Sequence, residues 1–163
     1  MSAGPRRPPL PDGPYLVVGL RMAGAAVASL LRERGEVIGC DTGSPEEAGA
    51  LEGVEVHLET EGAELTQRAG VVIKSPGVPR SAPVVAAALE LGIPVLGELE
   101  LGWLLLGNEF VAVTGTNGKT TTVELLGAIH RAAGLPVEVA GNVGKPVAGL
   151  VDAVEADAVV VCE

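Results

Sequence analysis

The sequence predicts an α/β fold built on mostly parallel sheets, and three observations predict it. Short apolar runs alternate with stretches of helical spacing, as strands and their crossover helices do. The runs are rich in Val, Leu, Ile and Ala without polar alternation, the pattern of strands buried on both faces. Hydrophobic residues make up 47% of the chain and aromatic residues only 2%, so the core must be aliphatic. At 163 residues there is room for one ordinary domain, or one domain and part of another.

The elements follow in order. Tyr15-Leu16-Val17-Val18 is a buried strand ended by Gly19, and Ala23 to Arg34 is a helix closed by Gly35. Val37 to Cys40 is a second strand, finished by Asp41, which completes a βαβ unit of Rossmann-like type. Val54 to Val56 reads as a weaker strand, and Val71 to Ile73 as a stronger one running through Lys74 into the turn Ser75-Pro76-Gly77. Pro83 to Leu91 is a helix with Pro in its first turn and Gly92 past its end. Ile93 to Leu96 is a strand, Glu98 to Leu106 a helix, and Gly107-Asn108 breaks the chain. A new strand, Phe110 to Val113, leads through a Gly turn into a helix from Thr120 to Ala133. Val137 to Ala140 and Asp157 to Cys162 are further strands, with a short helix from Pro146 to about Val154 between them. The expected division is a disordered Pro-rich stretch over 1–14, a Rossmann-like domain over 15–107, and the first part of a phosphate-loop α/β domain over 108–163.

Eleven Lys and Arg against 21 Asp and Glu leave a net charge of −10 and a pI near 4.6. Such a field repels nucleic acid and anionic membrane, and no basic patch interrupts it. An anionic ligand must therefore be held by local devices: helix N-termini, backbone N–H nests, single Lys or Arg residues. No apolar run approaches the roughly 20 residues needed to cross a bilayer. Met1 to Pro14 has no apolar core of a signal peptide. The expectation is a cytoplasmic protein with no nucleic-acid partner and no membrane insertion. Cys40 and Cys162 each end an apolar run and read as buried thiols, with no disulfide framework or metal knuckle.

The strongest motif is Thr114-Gly115-Thr116-Asn117-Gly118-Lys119-Thr120-Thr121, between an apolar strand and a helix. A Gly-rich turn there lets backbone N–H groups wrap a phosphate, and the helix start adds about half a positive charge. Lys119 can reach β- and γ-phosphates of ATP, and the Thr120 hydroxyl can hold Mg²⁺. Val113 stands where the general pattern has its first Gly, so the loop is a variant.

The first strand–helix turn, Gly19-Leu20-Arg21-Met22-Ala23-Gly24, keeps the outer glycines of a dinucleotide fingerprint but has Arg21 in place of the middle one. That Gly lets the backbone approach a pyrophosphate closely, so its loss argues against ordinary NAD binding and leaves the helix start free for a diphosphate. Asp41 sits where an acidic residue would meet a ribose or base. Ser75-Pro76-Gly77 lies at a strand's carboxyl end, the crevice side of an open α/β sheet. His57 and His130 lack partners at catalytic spacing and read as surface or helix-face residues. Trp103 reads as core or as a cover over the domain junction, and the acidic stretch from Glu46 to Glu64 as a solvated face.

Gly115 to Thr120 followed by a long helix, then Gly141-Asn142-Val143-Gly144, then an apolar strand ending in Glu163, resembles the Mur ligases. The Ser75–Gly77 turn, Gly92-Ile93-Pro94-Val95 and Gly97-Glu98-Leu99-Glu100-Leu101 narrow the resemblance to the members that add D-glutamate to UDP-N-acetylmuramoyl-L-alanine. It covers essentially all of Tyr15 to Glu163. The resemblance implies a three-domain, monomeric ATP-dependent ligase of peptidoglycan-precursor synthesis, acting through an acyl phosphate with ATP and Mg²⁺. It implies that Gly115, Thr116, Asn117, Gly118, Lys119, Thr120 and Thr121 hold ATP, with Lys119 catalytic. Thr120 and Glu163 then resemble the Mg²⁺ residues, and Asn142 a contact to the substrate's peptide region. Asp41 and Thr42 resemble the uracil-side contacts, Ser75, Pro76 and Gly77 the uridine pocket. The turn Gly19, Leu20, Arg21, Met22, Ala23 and Gly24 resembles the diphosphate seat. Arg21 departs from the Gly common in the family, although a guanidinium can itself pair with phosphate. The family's modified lysine, adenine pocket and D-glutamate pocket all lie beyond Glu163. The chain is therefore expected to be an N-terminal portion, inactive alone.

Other readings share parts of this pattern. A folylpolyglutamate synthase would have the phosphate loop without the preceding Rossmann-like domain. The ligase that adds L-alanine usually carries His where Asn117 stands. A non-catalytic uridine-nucleotide-binding module would use the first domain alone.

Overall fold

A computed structural model describes residues 7–141 and 145–163. Two parallel sheets form successive α/β units. The first contains β1 (Tyr15–Val18), β2 (Val37–Cys40), β3 (Glu55–His57), β4 (Val71–Lys74) and β5 (Val95–Gly97), in the order β3-β2-β1-β4-β5. All four pairings are parallel, with Tyr15 opposite both Val37 and Val71. Strands β1 and β2 are buried along their whole length, which is why they read as unbroken apolar runs.

The two-residue period of β1 divides the interior. Tyr15 and Val17 point into a core shared with α1 (Met22–Leu31) through Val27, Ala28 and Leu31. Leu16 and Val18 point the other way, onto Val84, Val85 and Ala88 of α2 (Pro83–Glu90). The chain leaves β1 leftward to β2 and β3, then returns to the right of β1 with β4. The carboxyl ends of β1 and β4 therefore flank a topological switch point, where a crevice opens in folds of this kind.

The second sheet has the order β6-β8-β7, from β6 (Phe110–Ala112), β7 (Val137–Ala140) and β8 (Val159–Cys162), again parallel. The helix α4 (Lys119–Ala132) crosses over from β6 to β7. Between the two sheets lies α3 (Glu98–Leu105), which serves a core on either side: Leu101 is buried in the first, shared with α1, and Leu99 packs against a third, built around Ala140, Val160 and Cys162 of the second sheet. A 3₁₀ turn, Val147–Leu150, does the same in reverse: Ala148 joins the first core, while Val147 and Leu150 belong to the third.

Several elements differ from the sequence reading. Helix α1 stops at Leu31, because the Gly35 N–H returns to the Leu31 carbonyl and folds residues 32–35 into a turn. Strand β5 starts at Val95, not Ile93, since the Ile93 N–H still caps α2 by bonding to Ala88. The short helix expected to reach Val154 is a 3₁₀ turn followed by further turns, and β8 begins at Val159 after a turn at Glu155–Ala158. The acidic stretch read as a plain solvated face holds two 3₁₀ turns, Glu46–Ala50 and Ala63–Arg68, anchored by buried Ala48, Leu51 and Leu65. Within the Pro-rich stretch, Leu10 packs against the first core. The Arg7 guanidinium lies 5.1 Å from the Trp103 ring centre and 5.2 Å from that of Phe110, and donates to the Trp103 and Asn108 carbonyls. The Trp103 ring thus faces a cation that its neighbours in sequence do not announce.

Candidate functional site

The larger cavity, about 710 Å³, opens at the switch point of the first sheet. One wall is the turn after β1. Gly19 takes a left-handed φ of +83°, which turns the chain sharply from strand to helix. Gly24 lies under that turn: a Cβ there would sit 1.7 Å from the Gly19 carbonyl oxygen and 2.7 Å from Ser75 Oγ. The Ser75 hydroxyl donates to the same Gly19 carbonyl at 2.7 Å, joining the β1 and β4 ends across the switch point. The outer glycines of the fingerprint therefore have separate causes, a positive φ for one and close packing for the other.

Asp41 ends β2 and spends both oxygens on backbone: Oδ2 accepts from Leu20 N at 2.7 Å and Oδ1 from Gly43 N at 2.8 Å. It thus fixes the β1–α1 turn to the loop after β2 while lining the cavity. Arg21, at the start of α1 with an extended backbone, is the cation among the described lining residues. Gly19, Arg21, Met22, Ala23, Asp41, Thr42, Ser75, Pro76 and Gly77 all reach the cavity. Leu20 does not, since its side chain is buried in the first core, and Gly24 does not, being beneath the turn.

Sequence reasoning missed part of the wall. Thr60, Glu61 and Ser81 line the cavity from loops of the first unit, and Gly141 and Pro146 close it from the second. Gly141 follows β7, so the rule that crevices form at strand carboxyl ends was the available signal. Thr60 and Glu61 had none beyond Gly62, whose Cβ would fall 2.6 Å from Cys40 Sγ. Asn142 lies outside the described residues.

The second cavity, about 350 Å³, is lined by Thr116, Asn117, Gly118, Lys119, Thr120, Thr121 and Glu163. Gly115 (φ +151°) and Gly118 (φ +76°) supply the loop's left-handed bends, and Gly118 directly precedes α4. Lys119 Nζ donates to the Gly115 carbonyl at 2.9 Å, so the ammonium folds over its own loop. The Thr120 hydroxyl donates to Glu163 Oε1 at 2.8 Å, while Glu163 Oε2 is buried without a partner. Thus the two residues that the resemblance pairs, 43 positions apart, are in contact. Gly141 belongs to this neighbourhood too, its Cα being so close that a Cβ would lie 2.7 Å from the Glu163 carbonyl oxygen.

Three buried groups have displaced acidities. Burial, then the charges of Asp41 and Glu64, push the Cys40 thiol up to about 12. Burial, then the charge of Glu98, raises the Cys162 thiol, so neither cysteine is a ready nucleophile. Burial also raises the Glu98 carboxyl, against the opposing pull of the Ala148 and Val147 N–H groups. His57 bonds Glu55 on the surface of β3, and His130 Nδ1 meets the Leu126 carbonyl on α4, so neither enters a cavity.

Fold and cavities together define a class: a doubly wound, Rossmann-like α/β unit followed by a second parallel sheet whose strand–helix turn has the make-up of a phosphate loop. Comparison with known proteins makes this particular. The family model described as Mur ligase MurD-like, N-terminal domain, matches residues 14–97, and the chain belongs to that family. The UDP-N-acetylmuramoylalanine–D-glutamate ligase of Frankia casuarinae is 46% identical over 152 residues, 88% of this chain and 31% of the relative. The enzyme of the same name from Pelotomaculum thermopropionicum is 41% identical over 155 residues, 91% of this chain and 34% of the relative. The chain thus spans about a third of the length of these relatives. Among solved structures, a UDP-N-acetylmuramate:L-alanyl-γ-D-glutamyl-meso-diaminopimelate ligase from Neisseria meningitides superposes with a TM-score of 0.51 at 26% identity. That match covers 90% of this chain and 51% of the other. A pseudomurein peptide ligase type C from Methanothermus fervidus shares the fold, with a TM-score of 0.52 at 23% identity over 91% of this chain and 32% of that one.

Proposed function

We propose that these residues supply the uridine-substrate cavity and the phosphate loop of an ATP-dependent ligase that joins D-glutamate to UDP-N-acetylmuramoyl-L-alanine. The observation that carries the reading is the placement of the two cavities. Both sit at strand carboxyl ends, and Gly141 borders the larger one while packing on Glu163, which lines the smaller. A substrate anchored by its nucleotide at β1 and β4 would present its far end toward the phosphate loop. The names of the relatives support the identity of the substrates.

In this reading the γ-phosphoryl group of ATP passes to the substrate's terminal carboxylate, and ADP leaves. The amine of D-glutamate then attacks the acyl carbon, phosphate departs, and an amide remains. Such chemistry depends on positioning and charge neutralisation. Lys119 would exchange the Gly115 carbonyl for β- and γ-phosphate oxygens, and the N–H groups at the start of α4 would hold the remainder. Mg²⁺ fits beside them: Thr120 Oγ1 and Glu163 offer hard oxygen ligands, and Glu163 Oε2 is a buried acceptor with nothing to accept from. When bound, the ion neutralises phosphate charge. In the larger cavity, Arg21 and the α1 start would meet the diphosphate, with Asp41, Thr42 and Ser75–Gly77 around the uridine.

The reading is tested by amide chemical shifts. UDP-N-acetylmuramoyl-L-alanine should move Gly19, Arg21, Ser75 and Gly77, and NADH should leave them unchanged. Tighter binding of NADH than of the uridine nucleotide would overturn it.

A further inference from the structure

Glu98 is the one acidic side chain among the described residues that is almost wholly buried, at 2% exposure, and the chemistry above gives it no part. Its Oε1 accepts the Ala148 N–H at 2.7 Å, across 50 residues of sequence. Glu98 opens α3, and Gly102, one turn later on the same face, meets the same 3₁₀ turn: a Cβ there would lie 2.4 Å from Val147 Cγ1. Helix α3 and the turn Val147–Leu150 are thus fitted by two devices, a carboxylate acceptor and a glycine notch. The turn follows directly on Pro146, which with Gly141 forms the far wall of the larger cavity. A buried carboxylate is costly unless it is satisfied, and an apolar residue would hold the first core more cheaply. Its presence at this seam therefore calls for a positional reason.

We propose that Glu98 is a positioning residue: by holding the Ala148 N–H it sets Pro146 and Gly141, the two far-wall residues, at the distance from β1 and β4 that a uridine-nucleotide substrate longer than UDP must span. The inference rests on the assignment of the larger cavity to the uridine substrate. UDP alone needs only the first-unit wall, so its affinity is independent of Glu98. A ligand extended by the muramoyl-alanine group reaches the second wall and depends on it.

The test compares Glu98→Leu, which leaves the Ala148 N–H unpaired, with Glu98→Gln, which keeps an acceptor at the same reach. Gly102→Ala displaces Val147 without touching Glu98, and Val85→Ala weakens the opposite face of the first sheet as a stability control. Calorimetry gives the ratio of affinities for UDP-N-acetylmuramoyl-L-alanine and UDP. An unpaired buried donor predicts that Glu98→Leu lowers the ratio about tenfold. Gly102→Ala should lower it likewise, whereas Glu98→Gln should restore most of it and Val85→Ala should leave it intact. Amide exchange at Ala148 in the free protein should quicken by about the same factor in Glu98→Leu. UDP binding with an unchanged ratio in both Glu98→Leu and Gly102→Ala overturns the inference and spares the cavity assignment. An unchanged Ala148 exchange rate in Glu98→Leu also overturns it. Binding of neither uridine ligand to the unaltered chain overturns the cavity assignment itself.

Discussion

Gly24→Ala puts the geometry of the β1 turn to a quantitative test. In an exposed helix the change would stabilise by about 1 kcal/mol, because Ala is the better helix former. Here the added methyl would lie 1.7 Å from the Gly19 carbonyl oxygen, a backbone atom already bonded to the Ser75 hydroxyl. Neither can rotate away, so α1 or the turn must move. Overpacking of this kind costs about 3 kcal/mol. Subtracting the propensity gain leaves a net loss of about 2 kcal/mol, which for a chain of this size lowers Tm by about 4–8 °C. The same displacement moves Gly19 and Ser75, so uridine-nucleotide binding should weaken in step. Gly49→Ala, where the added Cβ meets nothing within 4 Å, is the control. Differential scanning calorimetry on both variants, followed by UDP titration, decides the matter. A Gly24→Ala protein as stable as the parent would refute the packing argument, whatever its affinity.

Other expectations follow from the charged groups. Lys119→Ala should weaken ADP·Mg²⁺ binding by about 10- to 100-fold, the loss of a hydrogen bond to a charged group, and leave UDP titrations unchanged. Glu163→Gln should remove most of the dependence of ADP binding on Mg²⁺, read by titrating ADP with and without the ion. The bonds from Arg68, then from His57, lower Glu55 from the ordinary 4.5 to about 2. Because the folded value is depressed, its contribution is complete above pH 4.5 and is lost as pH falls toward 2; Glu55→Gln should flatten stability against pH in that window, measured by urea unfolding. For Cys40 the folded value is raised, from 9.0 to about 12, so stability should fall as pH rises through that interval. A thiol reagent at pH 8 should label Cys40 only after unfolding.

Much of this architecture was legible because local and global preferences coincide. The strands at Tyr15–Val18, Val37–Cys40, Val71–Lys74 and Val137–Ala140 are short, mainly apolar runs bounded by proline, glycine or polar residues, and they form where that pattern puts them. The contact of Thr120 with Glu163 follows from parallel β6 and β8 ending on the same side. The two 3₁₀ turns of the acidic stretch were hidden because single anchors such as Ala48 and Leu65 make no periodic signal among acidic neighbours. Glu98 opens a helix, where an acidic residue is unremarkable, and only the tertiary seam with Ala148 buries it. Arg7 owes its place to two rings and two carbonyls about 100 residues away, a partnership no window of local sequence contains. The Leu20 side chain turns away from the cavity for a simpler reason. A turn motif names six consecutive residues, but the backbone sends one side chain into the core while its N–H bonds Asp41.

In the proposed reading this chain holds two separate anion sites, one for a uridine nucleotide at the switch point and one for ATP phosphates at the Gly115–Thr121 loop. Calorimetric titration with both ligands, in either order, tests it most directly. One UDP-N-acetylmuramoyl-L-alanine and one ADP·Mg²⁺ should bind together, and Lys119→Ala should weaken the second about 10- to 100-fold without disturbing the first. Competition between the two ligands for a single site, with Lys119→Ala affecting both or neither, would contradict it.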